Sequence, residues 1–205
     1  MKGLPTLAVA VVGVLALRSS AAEEPHRQLG AHEHGRGTLN IAVEGNKMTV
    51  ELETPGMDIV GFEHAAKSRL DMEAVEKAKL QLMRPLTLFT MPAAAGCRVI
   101  EANVKVEIGE HDHDAKGEPG PGSSERSESS KGKKNAEAEN EGHSEFHAEY
   151  TLECASVNNI TAIEFGYFRV FSGAEKLDVN IITPKSQSKF EATRAKPNIS
   201  LAGMM

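Results

Sequence analysis

Histidine is the residue type whose number and spacing in this chain point most directly to chemistry. Six of the eight histidines form three close pairs, and the other two are His26 and His64. The pairs are His32 with His34, His111 with His113, and His143 with His147. Neutral imidazole is a ligand for Zn(II), Cu(II) and Ni(II). The three pairs therefore predict a site that binds a divalent transition-metal ion.

The spacing within each pair decides whether both imidazoles can reach one ion. Residues two apart share a face of an extended chain, so each of the first two pairs can hold a single ion. Four residues along a strand span about 13 Å. The third pair is therefore expected to serve different ions unless the chain turns between its members. Nearby carboxylates can add oxygen ligands or orient the rings. They are Glu33, Asp112, Asp114 and Glu145.

Each histidine also has an interpretation without a metal. The first pair could belong to a frayed N-terminus, the second to a solvated charged loop, and the third to an ordinary protein surface. An isolated residue such as His64 is more often a packed or capping side chain than a ligand. These alternatives remain open on the sequence alone.

Other chemistry has little support in the sequence. The chain contains no H-E-x-x-H, G-x-S-x-G, P-loop or G-x-G-x-x-G pattern, so we expect that it is not an enzyme. Its net charge is −6 at pH 7, and no basic stripe interrupts the acidic composition. This balance argues against nucleic acid as a partner and suits a protein that attracts cations.

The N-terminus has the order of a secretory signal peptide. Lys2 precedes a nearly unbroken apolar run, Leu4–Leu17, and small residues follow at Ser20-Ala-Ala22. The run is shorter than the roughly 20 apolar residues that span a bilayer. We expect residues 1–22 to be removed, leaving no membrane span, with 23–31 as a flexible tail. An uncleaved membrane anchor is the alternative.

Two cysteines in an exported chain predict one disulfide, between Cys97 and Cys154. Each lies in a strand-like run, and antiparallel pairing of the runs with the cysteines facing places Ile108 opposite His143. The same pairing would bring His111 and His113 towards the third histidine pair. Two unrelated buried thiols are the alternative.

Apolar periodicity predicts the elements that must position these residues. Residues 39–43 and 48–53 alternate around the turn Gly45-Asn46, which indicates a β-hairpin. A four-residue recurrence predicts a helix over Ser68–Met83, with an apolar face formed by Leu70, Ala74, Ala78 and Leu82. Further strands are expected at Cys97–Ile108, His143–Cys154, Lys176–Thr183 and Phe190–Leu201, and residues 160–171 predict a strand followed by a short helix.

The predicted fold class is α+β. It consists of an antiparallel sheet built from sequential hairpins, with one or two helices on one face. Residues 32–205 are expected to form a single domain. Residues 109–142 are rich in Gly, Ser, Glu and Lys and have no apolar period, so they predict a disordered polar loop within it.

Several segments in order resemble one protein family. They are His32-Glu-His-Gly35, Val60-Gly-Phe-Glu-His64, the run ending in Pro92-Ala-Ala-Ala-Gly-Cys97, Phe146-His-Ala-Glu-Tyr150, and Leu177-Asp-Val-Asn-Ile-Ile-Thr-Pro184. Together they resemble the ZrgA-type zinc-uptake proteins of bacteria. The resemblance covers nearly all of the chain after residue 22.

The resemblance implies a periplasmic protein that binds Zn(II) in support of a high-affinity zinc ABC importer. Members of the family carry a dense His/Asp tract where this chain has only His111-Asp-His-Asp114 and His143, which puts high-capacity zinc buffering in doubt. A site that uses His32, His34 or His64 would be unaffected by that loss. Two alternatives remain, namely binding of Cu(II) or Ni(II) instead of zinc, and a non-enzymatic interaction module with no metal role.

Overall fold

The computed structural model describes residues 33–109 and 143–205. Within these ranges the strands are β1 (Arg36–Glu44), β2 (Lys47–Pro55), β3 (Phe89–Thr90), β4 (Cys97–Ile108), β5 (Ser144–Cys154), β6 (Ala162–Phe165), β7 (Lys176–Ile182), β8 (Gln187–Thr193) and β9 (Asn198–Ser200). The α-helices of the same ranges are α1 (Gly56–Val60), α2 (Arg69–Leu82), α3 (Pro85–Leu88) and α4 (Tyr167–Val170).

The larger sheet is mixed, which corrects the prediction of an antiparallel sheet. Its order is β4-β5-β2-β1-β7-β8, and β1 and β7 run parallel. The other neighbours in this sheet pair antiparallel, including the predicted hairpin β1–β2. A parallel pair requires a crossover connection rather than a tight turn. Here β7 follows β6 and α4 in the chain and takes the side of β1 that β2 leaves open, so reasoning from sequential hairpins could not find it.

A smaller sheet, ordered β3-β6-β9, packs with the helices against the larger one. The single last strand predicted over residues 190–201 is wrong, because the chain turns at Thr193–Lys196 and continues as β9 in the other sheet. Pro197, which has no N–H to donate, lies just before β9, and its carbonyl accepts from the N–H of Phe165 at 2.7 Å.

The core consists of the inward rows of β1, β2, β5 and β7 and an aromatic cluster from β3, β6 and α4. Its aromatic members are Phe89, Phe146, Tyr150, Phe165, Tyr167, Phe168 and Phe171. The hydroxyl of Tyr150 donates to the carbonyl of Leu82 at 2.9 Å and attaches the end of α2 to the sheet. Burial of a leucine such as Leu82 stabilises the fold by about 1.5–3 kcal/mol.

The predicted helix is present as α2, but only half of its predicted apolar face is buried. Ser68 and Asp71 cap its first turn reciprocally. Ala78 and Leu82 are buried, whereas Leu70 is 70% exposed. The helix therefore packs through its C-terminal half, because its first turns extend beyond the edge of the core.

The hairpin β4–β5 forms with the predicted cross-strand pair and disulfide, Cys97 with Cys154. A β-bulge between Val99 and Glu101 then shifts the register by one residue, so Ile108 lies opposite Ser144 rather than His143. The bulge has a physical reason. It places Val104 opposite Ala148 on the core face, whereas unbroken pairing would have placed it opposite His147.

Some predictions fall on residues outside the described ranges. They are the signal peptide 1–22, the tail 23–31 and all of the polar loop 109–142 beyond Gly109. Among the residues that the structure describes, no helix is long and apolar enough to cross a membrane.

Candidate functional site

Buried polar side chains concentrate at one end of the larger sheet. Within the described ranges, the buried polar or charged residues away from Thr183 all lie where β2 ends, α1 follows and β5 begins. They are Thr54, Asp58, Ser144, Glu145 and His147. Burial of polar groups costs free energy unless they are paired, and such clusters of perturbed groups mark candidate functional sites. We call this region the polar end.

Glu63 joins two of the predicted histidines at the polar end. Its Oε1 lies 3.0 Å from Nε2 of His34, and its Oε2 contacts Nδ1 of His143. The Glu63 side chain is only 10% exposed, whereas the two imidazoles are 56% and 46% exposed. One sheltered carboxylate therefore holds two accessible imidazoles from distant parts of the sequence. We call these three residues the Glu63 bridge.

The backbone fixes the carboxylate of the bridge beside β5. Gly56 lies so close to β5 that a Cβ on it would overlap Oγ of Ser144. The absence of a side chain at Gly56 therefore allows α1 to pack directly against the strand. A few residues later, the carbonyl of Glu63 accepts from the N–H of Ser144 at 2.9 Å. Glu63 is thus held next to the residue that follows His143.

A turn that is held by hydrogen bonds at Gly35 positions His34 in the bridge. Gly35 has φ of +84°, a conformation that favours glycine, and its N–H donates to Oδ1 of Asp58 at 2.7 Å. Its carbonyl accepts from the N–H groups of Glu175 and Lys176, each at 2.8 Å. Burial raises the pKa of Asp58, and the hydrogen bond from Gly35 opposes that rise. Asp58 therefore fixes the residue next to His34 from inside the protein.

His147 lies in a second cluster on the outward side of β5. Its Nε2 is 2.9 Å from Oε2 of Glu145 and 3.6 Å from Oε2 of Glu107, and its Nδ1 is 3.8 Å from Oε1 of Glu53. The contact with Glu145 raises the pKa of His147, and burial of the ring lowers it. Nε2 is buried and forms no hydrogen bond. Its contacts with the carboxylates are ion pairs only while the ring is protonated. We call these four residues the His147 cluster.

The donor set of the Glu63 bridge fits zinc. Two imidazoles and one carboxylate are the ligands of sites that keep a fourth position open. In tetrahedral zinc with metal–ligand distances near 2.1 Å, nitrogen and oxygen ligands are about 3.4 Å apart. The two N–O distances within the bridge are shorter than this, because the side chains contact each other directly and not through an ion. In the parts of the chain that the structure describes, no three His, Cys, Asp or Glu side chains stand ready to hold an ion. An ion at the bridge therefore requires these side chains to rearrange. The separation of His34 from Glu63 must increase by about 0.4 Å, and that of His143 from Glu63 by more than this.

The other predicted site residues are placed as follows. His64 is exposed, and its ring stacks on Phe62 with centroids 4.6 Å apart, outside both clusters. Its Nδ1 lies 3.1 Å from the carbonyl of Ala65. His143 and His147, treated as a pair on the sequence, belong to different clusters. The remaining predicted ligands, His32, His111 and His113, lie outside the described residues, as does their expected approach to the third pair.

Sequence reasoning named Glu145 as a carboxylate near the histidines, but it missed Glu63, Glu53 and Glu107, and also Asp58 behind the bridge. Glu63 and Asp58 lie in the segment 57–64, between β2 and α2, where no site was predicted apart from His64. The available signal was a carboxylate directly before His64, and it was attributed to no site. Glu53 and Glu107 carried no local signal, because they become neighbours of His147 only through strand pairing.

Comparison with known proteins gives one match. A family model described as ZrgA family zinc uptake protein matches residues 31–201. No curated protein matches the chain. The matched range contains every residue of the Glu63 bridge and of the His147 cluster.

Proposed function

Because the chain belongs to the ZrgA family of zinc uptake proteins, we propose that it is a periplasmic accessory protein that captures Zn(II) and delivers it to a high-affinity zinc importer. The zinc is cargo in this proposal, bound and released rather than kept. The protein itself is proposed to be non-enzymatic.

The Glu63 bridge is the observation that carries the proposal. Residues 34, 63 and 143 are far apart in sequence, yet one sheltered carboxylate gathers both imidazoles. Zinc would take the place of the hydrogen in each of the two contacts, with His34, His143 and Glu63 as ligands. Each neutral imidazole can carry its hydrogen on the other ring nitrogen. The buried Asp58 would hold the turn behind His34, in the manner of residues that orient metal ligands from behind.

The exposure of the imidazoles supports exchange rather than storage. Structural zinc sites are closed, four-ligand centres, whereas open sites retain a position for water or another ligand. Both imidazoles of the bridge are about half exposed. A receiving protein could therefore offer a ligand to the ion before these rings release it, which is the chemistry that delivery requires.

Two features support a location in the periplasm. The N-terminal segment has the order of a secretory signal, and Cys97 and Cys154 are bonded to each other. Disulfides persist in oxidising compartments such as the periplasm. The bond also leaves no thiolate among the described residues, so the available donors are nitrogen and oxygen. Such donors suit Zn(II), Cu(II) or Ni(II), and the family description supports zinc.

Calorimetric titration of zinc into purified protein tests the proposal. The double variant His34→Ala/His143→Ala should lower zinc affinity by at least about tenfold, since loss even of an outer partner costs 10- to 100-fold. His64→Ala removes an imidazole one residue from Glu63 but outside the bridge, and it should bind as the wild type does. Parallel titrations with Cu(II) and Ni(II) establish the preferred ion.

The same titration can refute the proposal. If His64→Ala weakens binding and the double variant does not, the ligands have been placed wrongly. If purified wild-type protein retains no zinc after dialysis, the metal role fails and the interaction-module alternative takes its place.

A further inference from the structure

We propose that His147, Glu145 and Glu107 form a second divalent-cation site, beside the Glu63 bridge, with Glu53 orienting the imidazole. This inference deepens the proposed function, on which it rests for its role, because it gives a transferred ion a second position.

Strand pairing assembles the cluster on one side of the sheet. In β5, Phe146 and Ala148 point into the core, so Glu145 and His147 share the opposite face. Register places Glu53 of β2 across from His147 and Glu107 of β4 across from Glu145. The cluster therefore draws its members from three adjacent strands, and rigid backbone determines their separations.

The two ring nitrogens of His147 have different surroundings. Nε2 faces two carboxylates, with Glu145 at 2.9 Å and Glu107 at 3.6 Å, whereas Nδ1 faces Glu53 at 3.8 Å. This division matches metal-binding histidines, in which one nitrogen binds the ion and the other faces a carboxylate that orients the ring. Nε2, Glu145 and Glu107 are accordingly the ligands, and Glu53 is the orienting partner.

The charges of the cluster favour a cation. Three carboxylates surround one imidazole, so the four residues together stay negative whether or not the ring is protonated. His147 is only 9% exposed and Glu145 only 6% exposed, which reduces the screening of that charge by water. On the facing strand β4, the cationic residue Lys105 lies opposite His147, and Lys105 is exposed to solvent. Even with Lys105 counted, the region is negative while the imidazole is neutral.

The two distances from Nε2 are close to those between the ligands of one ion. Nitrogen and oxygen ligands of a tetrahedral ion lie about 3.4 Å apart, and the two contacts of Nε2, at 2.9 and 3.6 Å, lie on either side of that value. The Glu107 side chain is 43% exposed on the edge strand β4, so it can rotate onto the ion. This rotation is needed, because no three such side chains among the described residues are ready to hold an ion as they stand.

Zinc stoichiometry after dialysis, measured by elemental analysis, tests the second site. The double variant Glu145→Gln/His147→Gln should bind one zinc ion fewer per chain than the wild type. Glu149→Gln is the matched control, because it removes one carboxylate from the same face of β5 outside the cluster, and its stoichiometry should equal that of the wild type. Glu107→Gln changes a side chain that is 43% exposed, so it should leave the fold intact. It should weaken the second binding event by at least about tenfold in calorimetry.

The outcomes separate this inference from the proposed function. If Glu107→Gln and Glu145→Gln/His147→Gln both bind zinc as the wild type does, the second site does not exist, and the Glu63 bridge is unaffected. If the bridge variant His34→Ala/His143→Ala keeps full zinc while the cluster variants lose an ion, the second site stands and the bridge fails. Thermal melts identify an unfolded double variant, in which case the Glu107→Gln result decides.

Discussion

The Cys97–Cys154 disulfide should stabilise the fold strongly and leave zinc binding unchanged. The two cysteines are separated by 57 residues. Closing a loop of that length removes about 14 cal/mol/K of entropy from the unfolded chain, or about 4 kcal/mol at 25 °C. In a chain of this size each kcal/mol corresponds to about 2–4 °C in Tm, so reduction should lower Tm by roughly 8–16 °C.

Distance along β5 is the reason for expecting no effect on zinc. The strand runs from Ser144 at the polar end to Cys154 at the disulfide, and ten residue steps span about 34 Å. Zinc affinity of the folded protein should therefore be the same with and without the bond.

Two measurements check this prediction. Melting curves of wild-type protein with and without reductant give the change in Tm without altering any side chain. Calorimetry on Cys97→Ala/Cys154→Ala gives the zinc affinity without a reductant that could bind the metal. A Tm change under about 2 °C would refute the entropic reasoning, and lower affinity in a folded double variant would refute the separation of the two ends. Thiol counting on denatured, unreduced wild type should find no free thiol.

Three further outcomes are expected. Asp58→Ala should lower zinc affinity by about tenfold, because it frees the turn that presents His34; calorimetry checks this, and a Tm loss with unchanged affinity would assign Asp58 to stability alone. Deletion of residues 116–140 should leave Tm nearly unchanged, because that sequence has no apolar period to pack; a large drop in a thermal melt would contradict it. Zinc affinity should fall as pH drops below about 6.5, where an ordinary imidazole binds a proton and can no longer ligate; titrations at several pH values measure it, and flat affinity would argue against histidine ligands.

Much of the local structure follows from apolar alternation. Leu39, Ile41 and Val43 mark one buried row, and Leu177, Val179 and Ile181 mark another, and all six are buried. The bulge in β4 does not follow from this alternation. Val99 and Ile100 are both apolar and precede Ala102, so the sequence does not show where the alternation changes from odd to even positions.

The pairing of the cysteines could also be predicted from the sequence, because it follows from their number and from the two strand-like runs that contain them. The parallel pairing of β1 with β7 could not be predicted. The alternation of β7 shows that it is a half-buried strand, but it does not show which free edge the strand joins or in which direction.

The candidate site also consists of residues that the sequence indicates and residues that only the tertiary structure brings together. The histidines were found from residue type and spacing, because imidazole is a ligand wherever it occurs. Glu145 was also found, because it lies two residues from His147 on the same strand. The other carboxylate partners were not found, since Glu63 reaches His34 and His143 through the packing of α1 against β5, and Glu53 and Glu107 reach His147 through strand register. Periodicity records the environment of each residue along its own strand or helix. Contacts between residues tens of positions apart arise from how those elements pack, and no local pattern encodes that arrangement.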